Sequence, residues 1–145
     1  MIKNLIEDFK EFIEEKINKE CTSLEYNSSD KNYKDIMIEN HRRLWRWLAY
    51  QSLIKKRKVY KSEYFNFYNI KTNVYNNCYL CEYSINQNTE KESCSFCPIK
   101  WKHCTNPRSL YHKWVRCLNL NYKKASYYAW RISKLKKKRD IKSKE

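Results

Sequence analysis

Not one of the 145 residues is glycine. At ordinary usage a chain of this length carries about ten. AT-rich coding, which favours Lys, Asn, Ile and Tyr, accounts for part of the deficit, but the physical consequence stands. Glycine supplies the left-handed residue that ends many helices and the tight turn of short hairpins. It also builds the P-loop, the GxGxxG dinucleotide turn and the GxSxG nucleophile elbow, all of which are therefore excluded. Helices must stop on Asn or on other residues, and two-residue hairpins lose their favoured residue. The expectation is a mainly α fold.

Apolar periodicity agrees. Residues 1–20 read as an acidic amphipathic helix, with Ile2, Leu5, Ile6, Phe9, Phe12, Ile13 and Ile17 on one side. Residues 21–34 are polar and aperiodic and read as a linker. Residues 35–138 then form a basic helical domain. Its first helix runs from about Asp35 to Arg57, with Leu44, Trp45, Leu48 and Ala49 on the apolar face and Arg42, Arg43 and Arg46 mostly opposite. Residues 59–70 predict a short helix ending near Asn69. The insert 82–93 reads as a loop or weak hairpin. A helix over 108–118 places Leu110, Trp114 and Leu118 together. Another over 122–138 turns Ala125, Tyr128, Ala129, Ile132 and Leu135 to the core and gathers Lys124, Tyr127, Arg131, Lys134 and Lys138 in a separate stripe. Residues 139–145 form a basic tail.

Charge divides the chain. Lys and Arg number 31 against 16 Asp and Glu, a formal net of +15. Residues 1–40 carry −4 and residues 41–145 carry +19. Such a surplus attracts polyanions, nucleic acid foremost. No run of about 18 apolar residues suggests a membrane span, and the start lacks a signal-peptide core. The expected location is the cytoplasm.

Seven cysteines in a reducing compartment point to metal before disulfides. Cys78-Tyr-Leu-Cys81 and Cys94-Ser-Phe-Cys97 are two CxxC pairs separated by twelve residues. Each pair aims two thiolates at one cation, and two pairs complete a tetrahedron. The pattern predicts one structural Zn²⁺ on Cys78, Cys81, Cys94 and Cys97, stapling a loop over 78–104. Iron in a Cys₄ site and a redox CxxC are the competing readings. His103 or Cys104 is a candidate to replace one ligand. Cys117 reads as a buried apolar residue and Cys21 as a free thiol, while His41 and His112 read as packing or surface residues.

HRRLWRWL (41–48), CYLCEY (78–83), CSFCPIKW (94–101), Cys104, YHKW (111–114) and ASYYAWRI (125–132) together resemble a group of small uncharacterised zinc-binding proteins. That group is encoded by phages and prophages of Gram-positive bacteria. The resemblance spans about residues 41–132 and implies the zinc site, a phage origin and a host-cell cytoplasm. It implies no activity.

Three function classes follow. The first is nucleic-acid binding with weak sequence preference. Arg42, Arg43 and Arg46, the run Lys55-Lys56-Arg57-Lys58, and Lys124, Arg131, Lys134 and Lys138 are its candidate phosphate contacts, with neighbouring aromatic rings to stack on bases. The second is a phage-encoded inhibitor or adaptor of anti-defence type, bound to a host nucleic-acid-processing protein complex. There the N-terminal helix offers an apolar surface to that partner or to another copy. The third is an enzyme. Residues 41–145 hold only Glu63, Glu82, Glu90, Glu92, Asp140 and Glu145 as acids, with no convincing carboxylate pair or nucleophile–base pair. The expectation is therefore a non-enzymatic binding protein.

Overall fold

In a computed structural model, which describes residues 23–27, 29–70, 74, 78–87 and 108–136, helix α1 (Tyr33–Lys55) is the longest element. Four further helices follow: α2 (Lys61–Phe67), α3 (Tyr79–Gln87), α4 (Leu110–Arg116) and α5 (Tyr122–Ser133), with a 3₁₀ turn at Asn119–Asn121. No strand occurs among the described residues. The mainly helical expectation holds. The acidic helix over 1–20, the tail 139–145 and the whole segment 88–107 lie outside the described residues.

Helix α1 is central because it is buried on more than one side. The expected face of Leu44, Trp45, Leu48 and Ala49 is covered, and so are Met37, Ile38 and Trp47. Trp45 and Trp47 are two residues apart, so they leave the helix on opposite sides. Trp45 meets the α4 residue Trp114 edge to face, with centroids 4.8 Å apart. Trp47 meets Tyr64 and Phe67 of α2, each at 5.5 Å. Each tryptophan thus anchors one short helix to the long one, and such ring pairs add to the area they bury.

Helix α5 packs along α1 through small residues. Ala49, Ala125 and Ala129 are completely buried. Their short side chains let the two backbones approach. Ser126 exploits the approach by donating its Oγ hydrogen to the carbonyl of Ala49 at 2.8 Å.

The helix ends solve the glycine deficit locally. Lys56 closes α1 in the left-handed region (φ 55°, ψ 39°), and Asn69 follows α2 with φ 52°. Asn is the expected substitute there. Lys carries a Cβ penalty that glycine avoids.

Several boundaries differ from expectation. The described part of the 21–34 segment is fastened to the domain. Leu24 N–H donates to Asn40 Oδ1 at 2.6 Å, and Asn40 Nδ2 returns a bond to the Leu24 carbonyl at 3.0 Å. Asn40 is completely buried, so this exchange satisfies an amide that would otherwise be costly there. Ser23 Oγ and Tyr79 OH lie 2.6 Å apart in a second tie. Helix α3 continues to Gln87, so the first half of the 82–93 insert is helical. Helix α5 ends at Ser133, short of 138. Leu118 falls beyond α4 and is 71% exposed, away from the core side assigned to it.

Candidate nucleic-acid interface and metal half-site

The cations picked out in the sequence separate into anchored and outward groups. Arg43 Nε and Arg46 Nη2 both donate to Glu39 Oε2, at 3.1 and 2.9 Å. Arg42 Nη2 donates to the carbonyl of Leu135 at 3.2 Å, just past the end of α5. All three are half-buried. They are tied into the surface rather than projecting freely from α1.

The run 55–58 divides further. Lys55 and Lys56 are exposed. Arg57 forms a bidentate pair with Glu63, at 3.0 and 2.6 Å. That pairing holds the Glu63 carboxyl below its ordinary range. The same carboxylate accepts the Tyr60 N–H at 2.9 Å and so caps α2. Lys58, among the candidate phosphate contacts, is only 3% exposed. Its Nζ donates to the carbonyls of Val115 and Cys117 at 3.0 and 3.1 Å and sits 4.3 Å from the Trp114 ring centroid. It closes the C-terminal end of α4, where the partial negative charge of the peptide dipoles favours a cation.

The α5 cations point outward. Lys124, Arg131 and Lys134 are exposed, while Lys138 lies outside the described residues. Arg131 stacks over the Tyr127 ring at 5.7 Å, and Lys134 lies 4.5 Å from the Trp130 centroid. The individual clusters drew attention away from a broader signal. Arg108, Lys113, Arg116, Lys123 and Lys136 are exposed as well, and no Asp or Glu occurs anywhere from residue 108 to 136. Counting acids in that stretch would have found this acid-free run.

Two of the four candidate metal ligands fall among the described residues. Cys78 immediately precedes α3, and Cys81 sits in its first turn. The Cys81 N–H donates to Cys78 Sγ at 3.3 Å, which presents both sulfurs from one helix start. The Cys81 side chain, aided by Lys61, draws the Cys78 thiol down to about 6 against the opposing effect of burial. A thiol so shifted is largely thiolate at neutral pH, the form a metal needs. No cluster of three or more metal-ligating side chains forms among the described residues. Cys94, Cys97, His103 and Cys104 lie outside them, as does Cys21. Cys117 is half-buried, donates to the Lys113 carbonyl at 3.4 Å and has its thiol pushed up by burial. His41 is a buried packing residue, as expected.

Among the described residues, no helix is long and apolar enough to cross a membrane. No family model matches the chain, and neither a curated protein nor a solved structure matches it.

Proposed function

We propose that the chain is a non-catalytic, phage-type binding protein that holds nucleic acid by its phosphates, with weak sequence preference. The observation that carries this reading is the acid-free stretch 108–136, whose eight Lys and Arg include the outward cations of α5. Phosphate contacts need mobile or outward cations with no carboxylate competing for them. Lys124, Arg131 and Lys134 meet that requirement better than the anchored arginines of α1. Cys78, Cys81, Cys94 and Cys97 would bind one Zn²⁺ in a structural role, adding folding free energy to a segment with little core of its own.

The test is duplex and single-strand binding measured across a salt series. Reversing Lys124, Arg131 and Lys134 to Glu should weaken both and flatten the dependence of log affinity on log salt. Reversing Arg43 and Arg46 should matter less, because Glu39 already engages them. Unchanged binding in the α5 variant would overturn the reading.

One observation favours a second reading, an inhibitor or adaptor on a host nucleic-acid-processing complex. Val115 near the end of α4, and Leu118 and Leu120 just beyond it, are exposed, Leu120 to 92%. Apolar residues grouped at a surface mark protein contacts. A host protein retained on the chain after nuclease treatment, and lost with Leu118→Ser and Leu120→Ser, would select this reading.

A further inference from the structure

Between the start of α2 and the C-terminal half of α4 lies an open cleft of about 530 Å³. Tyr60, Tyr111, Trp114, Leu118, Lys58 and Lys61 line it, and none of its described lining residues is acidic. Lys61 Nζ sits 5.1 Å from the Tyr111 ring centroid, and Lys58 Nζ lies 5.2 Å from that of Tyr60. The partners found for Lys58 are two carbonyls and two ring faces, all of them neutral. Glu63 is the nearest acid in sequence, and its carboxylate is engaged by Arg57 and by the Tyr60 N–H.

Burial draws the Lys58 ammonium below its ordinary value, and where the two carbonyls and two ring faces hold its charge, the surroundings screen that charge poorly. Its field therefore reaches into the cleft. An anion placed there gains from Lys58 through that field and from Lys61 by direct approach. The rings impose a second requirement, a flat or apolar portion beside the anionic one. Tyr60 is 44% exposed and offers a stacking face. A nucleotide unit combines both portions, because every base has a π-face and every unit a phosphate.

We propose that this cleft takes one unpaired nucleotide, with its phosphate beside Lys61 and its base on Tyr60. The cleft itself rests on its own residues; that the nucleotide belongs to a strand rests on the nucleic-acid reading above. It gives that reading a preference for unpaired over duplex nucleic acid.

The experiment titrates the full chain with thymidine 5′-monophosphate and follows the Trp114 indole N–H by NMR. Inorganic phosphate and thymidine are titrated separately. The mononucleotide should shift the Trp114 signal, and each fragment alone should bind more weakly. Tyr60→Leu, which keeps an apolar cover on Trp114, and Lys61→Gln should each weaken the mononucleotide and oligothymidylate by about fivefold or more, the low end for a base stacked on an aromatic ring. Duplex binding, carried by α5, should hold in both variants. No Trp114 response at millimolar mononucleotide, or variants that bind it like the parent chain, would overturn the cleft. An oligothymidylate bound no more tightly than the mononucleotide would uphold the cleft and overturn the strand as its source. Loss of duplex binding on α5 charge reversal is read independently, so the two readings fail separately.

Discussion

Lys55, Lys56, Arg57 and Lys58 are four consecutive cations with different environments. Lys55 and Lys56 are exposed, Arg57 is paired with Glu63, and Lys58 is buried under α4. A charge run gives no hint of this division, because it is decided by where the chain turns. Lys56 adopts the left-handed conformation that ends α1, and the reversal carries Lys58 inward. Two substitutions separate these roles. Lys56→Gly should stabilise the fold by up to about 1 kcal/mol by relieving the Cβ penalty. Lys58→Met keeps the apolar stem but leaves two carbonyls without their donor, and should cost about 1–3 kcal/mol. Urea unfolding followed by far-UV circular dichroism measures both. Equal effects of the two changes would show that Lys58 acts merely as one more surface charge. The absence of glycine made an unusual helix stop foreseeable. That a lysine would provide it was not, since Asn is the commoner occupant of that conformation.

At the scale of elements, periodicity located the helices wherever a single face is buried. Helix α5 is the clear case, with Ala125, Ala129 and Ile132 buried as their spacing predicts. It was less informative for α1, whose burial extends round to Trp47, so that the narrow stripe of Leu44, Trp45 and Leu48 was only part of the pattern. It also missed the helical start of the 82–93 insert, because those residues are polar and leave little apolar spacing to read. The α1–α5 contact holds a titrating group. His41 is completely enclosed, and burial pushes it down to about 3, against the opposing hydrogen bond with the Ile132 backbone. Its ordinary value is 6.5. Between those values the unfolded chain binds the proton and the folded chain does not, so stability falls as pH falls. The contribution is fully present above about 6.5 and declines below it, by at most about 1.4 kcal/mol per pH unit. His41→Gln should flatten this dependence between about pH 6.5 and 4, as measured by thermal unfolding at each pH. An unchanged slope would assign acid sensitivity to other groups.

For the whole molecule, composition makes the surplus of positive charge plain, while tertiary structure decides which charges remain available. Glu39 and Glu63 are the acids that matter here: Glu39 engages Arg43 and Arg46, and Glu63 engages Arg57, all three among the candidate phosphate contacts. The outward charge thereby concentrates toward residues 108–136. The cysteine pattern has a similar division. Its spacing nominates four candidate ligands without any fold, but it does not reveal that the first pair stands at a helix start. That placement determines what metal removal should do. The α1–α5 contact is built from Ala49, Ala125, Ser126 and Ala129 and owes nothing to the cysteines. Helix α3, by contrast, begins beside Cys78, one of the candidate ligands, and reaches the core through Tyr79 and Leu80. Cys78→Ser and Cys94→Ser should each abolish a stoichiometry of one zinc per chain, measured by elemental analysis of the purified protein. Hydrogen exchange should then accelerate in α3 and in residues 88–97, while the amides of α1 and α5 stay protected. Zinc retained by both variants would sink the Cys₄ assignment. Zinc lost from Cys78→Ser alone would remove Cys94 from the ligand set and turn attention to His103 and Cys104. Loss of protection throughout the chain would mean that the metal holds the helical core as well as its insert.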